Sequence, residues 1–180
     1  RKVATPELLE YTFNDEGNLC AMEHKQERMD PHISIVHVEG ELFFGAAEIF
    51  REEIGRVCAD PNLKVVILRM KNAHHLDATS VMALEELVRF LRDNNRHLIV
   101  SGAQLDILRV LKNSGLLDIL GKENIFAASP KNPNLATRAA LKRAQELLGG
   151  VHPEVRIFYD PKKSAVTTAT TGAAAQVTTP

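Results

Sequence analysis

The chain is expected to fold as an α/β domain, and three features of the sequence carry that expectation. Residues 33–38, 65–68 and 97–101 are apolar runs rich in β-branched side chains, the composition of strands covered on both faces. Behind them come segments in which apolar residues recur every three to four positions, as on one side of a helix. The alternation of the two, through short connections, is that of right-handed crossovers between neighbouring strands.

Residues 1–10 form a charged lead-in punctuated by Thr5-Pro6, and residues 1–18 are assigned to a linker. Residues 11–13 and 19–25 flank the turn-rich Asn14-Asp15-Glu16-Gly17-Asn18, which predicts a loop between two short extended pieces. In 33–38, Ile33, Ile35 and His37 share one side and Val36 and Val38 the other, the pattern of a central strand. Gly40 and Gly45 bracket Leu42, Phe43 and Phe44, a loop too apolar for ordinary solvent exposure, which feeds a helix over 46–58. Phe50, Ile54, Val57 and Cys58 form the inward stripe of that helix, and Asp60-Pro61-Asn62 ends it. A strand over 64–70 then passes through a polar break containing His74 and His75.

The next helix is expected to begin near Ser80, with Val81, Leu84, Val88 and Leu91 inward and Leu87 widening the stripe. Glu85, Glu86, Arg89 and Arg92 face outward, and Asp93-Asn94-Asn95 stops it. After the run 97–101 come a helix over 104–112 ended by Asn113-Ser114-Gly115, a short apolar turn over 116–120 and a strand over 124–128. Asn132-Pro133 predicts the start of the last helix, with Leu135, Ala139, Leu141, Ala144 and Leu148 inward until Gly149-Gly150. Beyond Gly150 the composition shifts. Residues 155–159 predict an isolated strand and 164–180, mostly Thr, Ala, Val and Gly, a flexible tail. The domain proper is placed at 19–150, with 151–180 as a C-terminal extension.

Composition excludes several function classes. Of 180 residues, 44% are hydrophobic and 25% charged, which is globular rather than disordered. A net charge of -1 gives no general attraction for nucleic acid, so no nucleic-acid partner is expected. Cys20 and Cys58 lie in apolar stretches without metal-ligand spacing, the pattern of reduced thiols in a cytosolic setting. No run approaches 18 apolar residues, so no membrane-spanning segment is expected here. The chain opens on Arg1, which fits a domain cut from a longer polypeptide.

One stretch organises the functional reading. Leu76-Asp77-Ala78-Thr79-Ser80 sets three oxygen-bearing side chains at a helix start, where they cap the first N–H groups or form a docking point for an anion. His74-His75 lacks an acidic or cysteine partner at ligand spacing, so no metal is expected. Arg138, Lys142 and Arg143 read as a solvated face of the last helix. No cysteine or histidine falls in a nucleophile motif, and neither a P-loop nor a dinucleotide fingerprint is present. No enzyme activity and no cofactor are expected.

Three motifs together resemble the STAS domain, the module shared by sulphate-permease-type (SulP) anion transporters and bacterial anti-sigma-factor antagonists. They are the glycine-bracketed loop and Ala46-Ala47-Glu48, Val65-Val66-Ile67-Leu68 ahead of the Asp77 pentad, and Leu98-Ile99-Val100-Ser101-Gly102 ahead of residues 108–115. The resemblance covers about residues 19–150, and the Phe44-Gly45-Ala46-Ala47 sequence looks like the transporter branch. It implies a small mixed β-sheet with helices mainly on one face, lying on the cytoplasmic face of the inner (plasma) membrane. The implied partners are a transmembrane domain of the same polypeptide, a second copy in a homodimer, and a cytoplasmic regulatory protein. The implied role is a non-catalytic regulatory and interaction domain of a transporter of the sulphate, bicarbonate or dicarboxylate class. Only residues 59–63 separate the first helix from the next strand, without the long insert of animal transporters, which implies a bacterial relative.

In the antagonist branch a phosphorylatable residue follows the Asp by two positions, the place of Thr79, although this chain has Ser80 where those proteins often have glycine. Asp77, Ala78, Thr79 and Ser80 are therefore the candidate regulatory, phosphate or nucleotide site, and Leu42, Phe43 and Phe44 the candidate interaction surface. Two alternatives stay open: a free-standing anti-sigma-antagonist-like phosphoswitch, and a nucleotide-binding regulatory module.

Overall fold

A computed structural model describes residues 7–13, 19–23, 28, 30–41, 46–132, 134–149, 155–160 and 165–170. The elements of the main sheet are β1 (Glu7–Phe13), β2 (Leu19–Ala21), β3 (Ile33–Glu41), β4 (Val65–His74), β5 (His97–Ala103) and β6 (Ile125–Ala127). The helices are α1 (Ala46–Cys58), α2 (Ala78–Asp93), α3 (Leu105–Asn113), α4 (Leu116–Leu120) and α5 (Leu135–Leu147), with a single 3-10 turn at Lys122–Asn124. The six strands run in the order β2-β1-β3-β4-β5-β6. Strands β3 to β6 are parallel, and β1 is antiparallel to both β2 and β3.

Each crossover from β3 to β6 moves one strand in the same direction along the sheet, so right-handed connections place α1 to α4 on one face. Their core joins Val36, Leu68 and Val100 of the strands to Ile54, Leu84, Leu91, Ile107 and Leu111 of the helices. The opposite face carries the register row Ile35, Ile67 and Ile99, covered by Ala140, Leu141 and Ala144 of α5. With both faces covered, the three central strands need the unbroken apolar runs that the sequence shows. Among the described residues no helix is long and apolar enough to cross a membrane.

A polar node fastens α5 to the sheet. Arg69 of β4 is buried and donates from Nε to Thr137 Oγ1 (3.3 Å) and from Nη2 to Asn134 Oδ1 (3.3 Å). Its Nη1 lies 3.1 Å from His37 Nδ1. Because a guanidinium has no acceptor, His37 Nδ1 accepts, and Nε2–H donates to Glu39 Oε1 at 2.8 Å. The His37 ring stacks on Tyr11 with centroids 4.5 Å apart, and the Arg69 guanidinium stands 5.8 Å from the Tyr11 ring centroid. Burial, opposed by the Glu39 hydrogen bond and aided by Arg69, holds the His37 pKa below its ordinary value, so the neutral ring is favoured.

The structure corrects four readings of the sequence. The chain assigned to a charged lead-in enters the sheet at Glu7 as β1, because Glu10 is buried with partners far along the chain: Arg28, and Ser34 Oγ at 2.9 Å. Helix α2 begins at Ala78, not Ser80, since Asp77 is its cap. Helix α5 begins at Leu135, and its buried side is Ala136, Thr137, Ala140, Leu141 and Ala144, so the inward stripe is turned relative to the expected one and Leu135 is 45% exposed. The strand expected near 155–159 is present as β7 (Val155–Asp160), but it is not isolated: it pairs antiparallel with β8 (Ala165–Thr170), within the expected tail, whose residues 171–180 lie outside the described residues. The two thiols are free, Cys58 buried and Cys20 partly so.

Candidate functional site

The start of α2 is built by the end of β4. Leu76 is buried in the helix-side core and anchors the turn. Asp77 follows with extended backbone, and its Oδ1 accepts from the Ser80 amide at 2.8 Å while its carbonyl accepts from the Val81 amide at 3.0 Å. This is side-chain capping in its ordinary form, and it assigns the cap to Asp77. Ala78 is the first helical residue and is exposed. Thr79 is the second and is exposed, whereas Ser80 has 0% exposure and lies within the fold. Of the two hydroxyls in the pentad, only that of Thr79 stands where an enzyme or a partner reaches it.

The loop ahead of the cap is held by α3. The Asp106 carboxylate accepts from the His75 amide at 3.1 Å and lies 3.5 Å from His74 Nδ1. Partial burial alone would raise the Asp106 pKa, but the amides of His75 and Ile107 donate to it and hold it below the ordinary carboxylate range. His75 has φ +56°, a left-handed conformation that is uncommon outside glycine, and the Asp106 bond to its amide helps to fix it. The sequence shows no acidic partner at ligand spacing from the His74-His75 pair, and the fold brings Asp106 to it from a helix 31 residues further on. Among the described residues no group of three or more His, Cys, Asp or Glu side chains converges as a metal site would require.

Along α2 the outer face continues from Thr79 through Met82, Glu86 and Phe90, at the three- and four-residue spacing that aligns side chains. Met82 is 60% and Phe90 50% exposed. Beside them a cavity of about 250 Å³ opens between α1 and α2, with Ile54, Ala83, Leu87 and Phe90 in its walls. Arg51 of α1 crosses its rim to Glu86, Nε to Oε2 at 3.1 Å. Met82 and Phe90 were absent from the sequence reading, although both fall off the inward stripe and a helical projection marks them as outward apolar residues. Leu42, Phe43 and Phe44 lie outside the described residues. The last described residue before them, Glu41 of β3, is in register with His74 of β4.

A family model for the STAS domain matches residues 25–131. The chain therefore belongs to the STAS domain family. It is 29% identical over 101 residues to the Bacillus subtilis (strain 168) protein named "Putative sulfate transporter YvdB", a match covering 56% of this chain and 19% of that protein. It is 24% identical over 102 residues to Sulfate transporter 3.2 of Arabidopsis thaliana, covering 51% and 16% respectively. The chain thus spans about a fifth of the length of the curated relatives it matches. Among solved structures it is similar to a sulfate transporter family protein from Wolinella succinogenes, with TM-score 0.57 and 26% identity over 69% of this chain and 93% of that one. The fold also matches part of murine Solute Carrier 26 family member A9, an anion transporter, with TM-score 0.60 and 16% identity over 81% of this chain and 23% of that one.

Proposed function

We propose that the chain is the non-catalytic regulatory domain of a SulP-type anion transporter, held on the cytoplasmic face of the membrane beneath a transmembrane domain of the same polypeptide. The observation that carries this reading is the outer face of α2, where exposed Thr79 heads a stripe with exposed Met82 and Phe90. Two large apolar side chains beside an open cavity favour a protein surface as the partner. The helix start lets the charge at Thr79 alter what that partner meets. Similarity to sulfate transporters over about 100 residues supports the choice of a transporter over a free-standing phosphoswitch.

Contact is tested by thiol labelling. With Cys20 replaced by serine, Met82→Cys is expected to react rapidly in the 180-residue chain and at least tenfold more slowly in a polypeptide that also carries the transmembrane domain. Arg109→Cys, on the exposed side of α3, serves as the control and keeps its rate. Equal rates for Met82→Cys in both settings would remove this face from the interface.

A further inference from the structure

At the end of α2 remote from Thr79, a second cleft of about 300 Å³ lies where β5 begins. Its lining begins at Val88 and Arg92, in the last turns of the 16-residue α2, so it lies about three helical turns or more from the Asp77 cap. Its polar rim holds Arg92, Asn95, Arg96, His97 and Asn124, and among the described residues no carboxylate lines it. Its apolar wall is Val88, Leu98 and Leu120.

The two arginines are held by carbonyls, not by acids. Arg96 donates to the backbone oxygens of Cys58 (2.6 Å) and Asp60 (3.0 Å), and Arg92 Nη2 donates to that of Ile119. The Asp60 carboxylate, which acts on Arg96 through space, is itself bonded by Arg28 Nη1 at 2.6 Å. Each guanidinium carries five N–H donors, so these contacts fix the arginines and leave donors over. Behind them Arg143 donates from Nε to Asn124 Oδ1 at 2.9 Å, and its Nη1 is paired with the Glu146 carboxylate at 3.4 Å, so it positions Asn124 and neutralising the anion falls to Arg92 and Arg96. Partial burial, with Arg143 adding repulsion, holds the His97 pKa below its ordinary value. The carbonyl end of α2 disfavours an anion, but by less than one well-placed charge-assisted hydrogen bond contributes.

We propose that this cleft binds a phosphate-class dianion, free or as the monoester of a small organic body, with Arg92 and Arg96 as its principal donors and His97 joining them. The apolar wall provides a place for an organic body, and the volume lies at the lower end of the range of small-molecule sites. The site is separate from the α2 outer face, and its occupancy is measured on this chain alone, independently of any transporter.

The test is an NMR titration of the 180-residue chain with inorganic phosphate and with phenyl phosphate, at constant ionic strength set by chloride. Saturable shifts are expected at His97, Asn95 and Asn124, with the imidazole pKa rising as the anion binds. Arg92→Gln should weaken binding about tenfold, the loss of one charged donor at about 1.4 kcal/mol. His97→Gln should weaken it less, and both variants should melt like the parent. Tighter binding of phenyl phosphate assigns the site to an organic ester, and equal binding assigns it to the free anion. Shifts that never saturate, shifts gathered at the α2 start, or unchanged affinity in Arg92→Gln would each overturn the proposal.

Discussion

Ile67→Asp is expected to leave the chain unfolded at room temperature. Ile67 has no exposed surface, sits in β4 between Ile35 and Ile99, and belongs to the cluster closed by Ala140, Leu141 and Ala144 of α5. An aspartate there would bury a carboxyl group with no partner, at a cost of several kcal/mol, and would remove the packing of the isoleucine besides. Because a domain's whole stability is about 5 to 15 kcal/mol, that sum removes most or all of it. Ile67→Val, which deletes one methylene, should cost only about 0.5 to 1.5 kcal/mol and stay folded. Circular dichroism melting distinguishes the two, and a parental melting temperature for Ile67→Asp would displace β4 from the centre of the sheet.

Arg69→Ala carries the second-largest expected loss. The substitution strips the donor from three buried acceptors, Thr137 Oγ1, His37 Nδ1 and Asn134 Oδ1, and leaves a cavity against Tyr11. An unsatisfied buried polar group costs about 1 to 3 kcal/mol. One term opposes this: burial pulls the Arg69 pKa down, so the guanidinium is held at an electrostatic cost that the alanine removes. Three lost bonds outweigh that relief, and a net loss of about 2 to 4 kcal/mol is expected in urea unfolding. Arg69→Lys should recover only part of it, since an ammonium cannot reach three acceptors in the geometry of the planar fork. Stability unchanged in both variants would mean that Arg69 does not fasten α5 to the sheet.

Where the physics is local, these features were legible in the sequence. The runs of β3, β4 and β5 show because both faces are covered, and α1 to α3 show because one stripe of each is buried. Strand β1 was hidden by Glu10, whose burial makes sense only once Arg28 and Ser34 are folded against it. The rotation of α5 was hidden for the same reason, since Thr137 faces inward to meet Arg69 from 68 residues away. At the candidate site the pentad showed that a helix starts there, but it pointed to Ser80 and left the cap open among Asp77, Thr79 and Ser80, where the fold starts the helix at Ala78 and gives the cap to Asp77. The division of labour within it was not legible, because burial decides that Ser80 serves the fold and Thr79 faces solvent. Asp106 and the basic cleft are products of topology, assembled from elements that no sequence window contains together.

The regulatory reading rests on Thr79, and electrostatics sets what a charge there does. A phosphate brings about -1.5 to -2 charges close to the first turn of α2, whose N–H groups attract it, and to the Asp77 carboxylate, which repels it. The terms oppose and each is small at an exposed site, so the fold is expected to survive while the surface changes. Anion uptake by the transporter-length polypeptide, measured per folded molecule for Thr79→Glu and Thr79→Ala against the parent, is the decisive experiment. The account predicts that Thr79→Glu melts with the parent yet shifts uptake severalfold, and that Thr79→Ala abolishes any response to a kinase. Parental uptake in both variants, with folding intact, would contradict it.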